Sequence, residues 1–355
     1  MRNILIVAIT RMGDLLQASP TIVGMRREYP HARITVLVDK QFSSICRGIP
    51  GIDELYETDL AMIVRGLHRE GDGLVDAYDY LTEIIEDLKA RHFDYCLNMA
   101  SSGYTALLIG MLNIPESRGW TSDAEGFRII ANPWSRIFAA FVYHSNRLYN
   151  SLNLVDILRC AAGVTQHPHR LMYEVNDADR QHIAEFLRPL GTEGPLLALQ
   201  AGASQGKRQW APARFARLLK ALVEEQNARI VLTGSKSESH IADAILSFYN
   251  SPRILNGVGK TNLGQLGALL EQAEVLVTGD TGPMHLAVAV GTPVVALFLA
   301  SALCFETGPY GEGNIVIQPQ ITCNPCNPNF ACARPDCHEQ VTPELVAELV
   351  RLRRT

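Results

Sequence analysis

In this sequence the residues whose types and spacing could do chemistry sit in short polar loops, each directly after an apolar, β-branched run. The first loop is Thr10-Arg11-Met12-Gly13-Asp14-Leu15, at the end of the run that begins at Asn3. The carboxyl end of a first parallel strand faces the ligand crevice of an open α/β sheet, so a carboxylate there could accept a proton from an incoming hydroxyl. The plainer reading of Asp14 is a helix cap, because acidic side chains favour helix N-termini.

The second loop is Gln200-Ala201-Gly202-Ala203-Ser204, followed by Lys207-Arg208-Gln209-Trp210-Ala211-Pro212. Small residues such as Ala203 and Ser204 offer backbone N–H groups, Lys207 and Arg208 offer cations, and Pro212 suits the first turn of a helix. Together they fit one phosphate cluster, although a solvated basic loop has the same composition. Trp210 fits the core better than a nucleobase platform.

The third loop, Gly279-Asp280-Thr281-Gly282-Pro283-Met284-His285, again lies between a strand and a helix. Its glycines let a ligand approach the backbone, Thr281 supplies a hydroxyl, and Pro283 can open the helix. A diphosphate on that terminus would be stabilised as its charge grows during bond cleavage. The competing reading is a tight turn with Asp280 as cap and His285 as an ordinary helix histidine. Glu238, in Gly234-Ser235-Lys236-Ser237-Glu238, follows another strand and could bond ribose hydroxyls, or simply serve the next helix's dipole.

Of the eight cysteines, Cys46, Cys96, Cys160 and Cys304 are scattered as reduced core cysteines are. Cys323, Cys326, Cys332 and Cys337 form C-x2-C-x5-C-x4-C. Four such thiolates suit a structural zinc, with disulfides or free thiols as alternatives. Asp177-Ala178-Asp179 resembles a metal-chelating D-x-D pair, but it opens a helical pattern and reads as capping. No G-x-G-x-x-G follows the first strand, which disfavours a nicotinamide site.

The elements that must position these loops alternate. Strands are expected at 3–10, 32–38, 53–56 and 93–99, with helices at 14–29, 80–91, 105–112 and 151–162. Residues 62–79 and 120–150 fit poorly and read as insertions beside the sheet. After a boundary near 166–175, strands are expected at 196–200, 229–233, 275–278 and 293–298, and helices at 213–226, 238–249, 263–272 and 284–290. Such alternation implies parallel sheets covered by helices. The expected division is 1–170 for an acceptor-binding domain and 171–355 for a nucleotide-sugar-binding domain carrying the Cys-rich segment 323–337.

A length of 355 residues suits two domains. A net charge of −5 with 47% hydrophobic residues indicates a globular protein without general attraction to nucleic acid or anionic lipid. The opening apolar run is cut by Arg11 and Asp14, too short for a signal peptide or membrane span. A cytoplasmic protein is expected, with any membrane contact peripheral and driven by the acceptor.

The segments "ILIVAITRMGDLLQASPTIVGMRREYP", "QAGASQGKRQW" and "VLVTGDTGPMHLAVAVGTPVVALF" resemble glycosyltransferase family 9, the ADP-heptose:lipopolysaccharide heptosyltransferases, in order and over nearly the whole chain. The resemblance implies a GT-B fold, two Rossmann-like doubly wound domains facing a central cleft, and metal-independent, inverting transfer from a nucleotide-sugar donor to a lipid-linked or glycan acceptor. It places Asp14 as general base and Glu238 as nucleoside-binding acid, with Asp280, Thr281, Gly282 and His285 in the donor loop. The family's phosphate-binding Lys stands two residues before a Trp; here that residue is Arg208, with Lys207 preceding it. A sugar-nucleotide epimerase and a non-catalytic nucleotide-sugar binder are the competing functions.

Overall fold

The computed structural model describes the chain except residues 1, 10, 69–70, 143–148, 168, 204, 324–325, 327–331, 333–335 and 355, and gives only the backbone at 67–68 and 141–142. It divides into two compact units, Met1–Arg147 with Leu154–His169, and Leu148–Asn153 with Arg170–Thr355.

The first unit runs β1 (Asn3–Val7), α1 (Met12–Glu28), β2 (Arg33–Asp39), α2 (Ser43–Cys46), β3 (Glu54–Thr58), α3 (Leu60–His68), α4 (Gly73–Ala90), β4 (Tyr95–Asn98), α5 (Gly103–Leu112), β5 (Glu116–Ser122), β6 (Arg128–Ile130), α6 (Pro133–Val142) and α7 (Leu154–Ala162). Its described strands form one sheet in the order β3-β2-β1-β4-β5-β6. All pairs are parallel except β5 with β6. Ile4 to Val7 are fully buried, as both-face burial of a parallel strand demands. Pro20 sits inside α1 and cannot donate to the Leu16 carbonyl four residues back. The Ser19 hydroxyl donates to that carbonyl instead, at 2.6 Å.

The second unit runs α8 (Asp177–Phe186), β7 (Leu196–Gln200), α9 (Pro212–Glu224), β8 (Arg229–Thr233), α10 (Ser239–Phe248), β9 (Ile254–Asn256), α11 (Leu263–Gln272), β10 (Val275–Gly279), α12 (Gly282–Val290), β11 (Val294–Leu297), α13 (Cys304–Thr307), β12 (Ile315–Ile317), α14 (Asp336–Gln340) and α15 (Pro343–Arg354). Its described strands form the parallel sheet β12-β11-β10-β7-β8-β9. Leu197, Leu199, Ile230, Val275 and Val295 pack with Phe215, Leu219 and Leu222 of α9 and with Val346 and Val350 of α15. Trp210 belongs to this core, 1% exposed and edge-on to Phe215 at 5.2 Å between ring centroids.

The stretches expected as insertions beside the sheet form regular elements: 62–79 lie mostly in α3 and the start of α4, and 120–150 holds an antiparallel edge pair and α6. Asp177 does open a helix, and the cap is Asn176, whose side chain accepts from the Asp179 amide.

Candidate active site

In the second sheet β7 lies between β10 and β8, so the strand order reverses beside β7. Loops leaving the carboxyl ends of the strands at such a reversal converge. Here they are the loops after β7 and β10, which hold two of the three sequence-predicted constellations. Arg208 Nη1 donates to Asp280 Oδ2 at 2.8 Å, across 72 residues of sequence. Both side chains are largely buried, 15% and 13% exposed. Arg208 Nε donates to Ser301 Oγ at 2.8 Å, and Ser301 Oγ donates to Gln205 Oε1 at 3.0 Å. A desolvated ion pair gains from its Coulomb attraction only where hydrogen bonds complete it. Its consequence here is an oriented guanidinium whose counter-charge is already balanced. Lys207 shares the 3₁₀ turn Gly206–Arg208, and His338 Nε2 donates to its carbonyl at 2.9 Å.

Asp280 therefore does not cap α12. Thr281 occupies the N-cap in extended conformation, with no side-chain bond to the helix and Pro283 in the first turn. The Thr281 hydroxyl instead hydrogen-bonds with Thr278 at 3.0 Å. The positive end of the helix dipole is not closed by a side chain of its own cap, which suits an anion. His285, one turn in, is 3% exposed, and burial pushes its imidazole down to about 4. Burial thus favours the neutral imidazole, and its Nδ1 has no hydrogen-bond partner among the described residues.

Glu238 closes the 3₁₀ turn Lys236–Glu238 after β8. It accepts from the Ser235 amide at 2.6 Å and the Ser235 hydroxyl at 2.8 Å. The carboxylate also lies over Gly202, where an added Cβ would stand 1.6 Å from Glu238 Oε1. Gly202 is thus a clearance for Glu238, a role the sequence does not signal because the two residues meet only in the fold. Ala203 is half-buried in the same loop, and Ser204 lies outside the described residues.

In the first unit the order reverses at β1, between β2 and β4, and Asp14 follows β1. It is the third residue of α1, and its Oδ2 accepts from the Arg11 amide at 3.4 Å. That is a long bond, so the capping role is present but weak. At the neighbouring strand end, Asn98 is 1% exposed and bonds the Trp120 carbonyl and the Ala100 amide.

Residues 81–332 match the family model for glycosyltransferase family 9 (heptosyltransferase). The chain belongs to glycosyltransferase family 9.

This glycosyltransferase is 27% identical over 294 residues to lipopolysaccharide heptosyltransferase 3 of Escherichia coli K12, covering 81% of this chain and 80% of that one. A glycosyl transferase family 9 structure from Veillonella parvula superposes with a TM-score of 0.76 at 19% identity, covering 99% and 97% of the two chains. The Escherichia coli ADP-heptose lipopolysaccharide heptosyltransferase II structure does so with 0.74 at 20% identity, covering 99% and 98%. The fold is accordingly GT-B, two parallel-sheet α/β domains.

The transferase keeps its cysteines as free thiols. Cys46 and Cys96 are buried, and burial pushes the Cys46 thiol up to about 12. Cys323 and Cys332 are exposed while Cys337 is buried, and among the described residues no three or more His, Cys, Asp or Glu side chains are arranged to hold a metal ion. The four thiols expected to hold zinc are neighbours: after burial, Cys323, Cys337 and Cys332 each push the Cys326 thiol up. Among the described residues no helix is long and apolar enough to cross a membrane.

Proposed function

We propose that this transferase moves a heptose from ADP-heptose to a hydroxyl of a lipopolysaccharide-core-type acceptor, with inversion at the anomeric carbon and without a catalytic metal ion. The observation that carries the reading is the Arg208–Asp280 pair, which joins the loops after β7 and β10 and sets a fixed cation beside the α12 N-terminus. In this reading the second unit holds the donor. Lys207, Arg208, the Ala203 backbone and the amides of Thr281 and Gly282 meet the diphosphate, Glu238 meets the ribose, and His285 sits one turn into the same helix.

Asp14 on the first unit removes the proton of the acceptor hydroxyl, which attacks the anomeric carbon as the bond to the diphosphate breaks. Negative charge grows on the departing oxygen, where a guanidinium, an ammonium and a helix terminus are stabilising in proportion to that charge. Because Asp280 already balances the Arg208 charge, Arg208 acts chiefly through its oriented N–H donors, and Lys207 and the helix terminus supply the net positive potential. The names of the relative and of the second structural neighbour support this donor and acceptor class, and cytoplasmic action with peripheral membrane contact follows from it.

The test is incubation with ADP-heptose, with and without a deacylated lipopolysaccharide-core acceptor, in excess chelator, with products read by mass spectrometry and the linkage by NMR. Acceptor-dependent transfer with inverted configuration is expected. Sugar interconversion without acceptor, or transfer that needs added divalent metal, would contradict it.

A further inference from the structure

Arg208 is oriented from two edges, Nη1 on Asp280 and Nε on Ser301, each at 2.8 Å. Ser301 is 1% exposed and belongs to none of the motif loops read from the sequence. The residue before it, Ala300, adopts φ 55, the left-handed region that a β-carbon disfavours. Residues held there persist only when their surroundings over-determine them, and they cluster where function needs a fixed geometry.

Both peptide groups that flank the Ala300 α-carbon meet the C-terminal cysteine-bearing segment. Its carbonyl accepts from the Cys326 amide at 2.8 Å, and its own amide donates to the Cys337 sulfur. The same segment reaches the basic loop through His338, which donates to the Lys207 carbonyl. The tail thus touches the loop of Ser301 and the basic loop, at Ala300 and at the Lys207 carbonyl.

We propose that Ser301 is a positioning residue for donor binding: presented by left-handed Ala300 and locked by the Cys326 and Cys337 contacts, it fixes the plane of the Arg208 guanidinium that meets the donor diphosphate. The proposal rests on the donor reading above. Without the Ser301 hydroxyl the guanidinium keeps its bond to Asp280 but loses the partner that fixes its Nε edge, so the charge stays while its direction is less defined. A hydrogen bond to a charged group is strong enough for its loss to weaken donor binding about tenfold.

The experiment is a double-mutant cycle read by ADP calorimetry on wild type, Ser301→Ala, Arg208→Ala and the double variant, with steady-state KM for donor and acceptor. Ser301→Ala is expected to weaken ADP about tenfold and raise donor KM, leaving acceptor KM unchanged, and to add nothing in the Arg208→Ala background. Gln205→Ala, which removes the acceptor of the Ser301 proton outside the core, shifts ADP affinity in the same direction and keeps the test open should Ser301→Ala fold poorly. Wild-type ADP binding with unaltered affinity in both Ser301→Ala and Gln205→Ala, or with additive losses in the double variant, overturns the positioning role while the donor reading stands. No ADP binding by the wild type overturns both.

Discussion

Acid should destabilise the second unit through His285, and the size of the effect follows from burial. The imidazole is 3% exposed, and burial pushes its pKa from the usual 6.5 down to about 4. Between those values the unfolded chain binds a proton that the folded protein refuses, so stability rises with pH across the window and is lost as pH falls through it. Each unit is worth about 1.4 kcal/mol, so the full effect below pH 4 is about 3 kcal/mol, of which about 2 kcal/mol is already lost at pH 5 and almost none at pH 7.5. Other groups titrate in the same range, so the quantity to measure is the difference between wild type and His285→Leu. Scanning calorimetry from pH 7.5 to 5 should show the wild type losing about 2 kcal/mol more than the variant. Parallel pH profiles would refute the reasoning and mean that the imidazole is reached by solvent or by a ligand in its charged form.

Asp14→Asn separates base from cap, because the Asn side-chain oxygen can still accept from the Arg11 amide but cannot take up a proton as a carboxylate does. It should lower kcat by roughly 10²- to 10⁴-fold with thermal stability little changed, and full activity by rate assay would remove Asp14 from the chemistry. Gly202→Ala should push the Glu238 carboxylate off Ser235, since the added Cβ would stand 1.6 Å from Oε1. The lost turn cap costs about 1 kcal/mol in unfolding experiments, and ADP affinity falls if Glu238 holds the ribose; unchanged ADP affinity would mean that it does not. Arg208→Lys should weaken ADP about tenfold by calorimetry, because one ammonium cannot bond Asp280 and Ser301 in the guanidinium's two-edged geometry.

The strands were legible where burial on both faces writes an unbroken apolar run, and β7 and β8 coincide with the runs Leu196–Gln200 and Arg229–Thr233. Edge strands of three residues, β9 and β12, are too short to carry a period. The helix α15 was overlooked because charges dominate it, although Val346, Ala347 and Val350 form its buried stripe.

Within the site, sequence placed Arg208 and Asp280 in donor loops but could not pair them. Their meeting depends on β10 lying beside β7, a long-range choice of strand order that local pattern does not encode. The clearance at Gly202 for Glu238 is hidden for the same reason. His285 reads from sequence either as a donor-loop residue or as an ordinary helix histidine, and its burial with Met284, Leu286 and Ala287 appears only once the helix is packed on the sheet. Ser301 gave no signal, since a serine among Ala300, Ala302 and Leu303 reads as packing until the backbone of Ala300 is seen.

The most direct test of the central claim is calorimetric binding of ADP, UDP and GDP and their sugar nucleotides to the wild type and to Lys207→Ala/Arg208→Ala. Selective binding of ADP and ADP-heptose, lost in the double variant, is the predicted result. A preference for UDP or GDP, or ADP binding undiminished without both cations, would contradict the account.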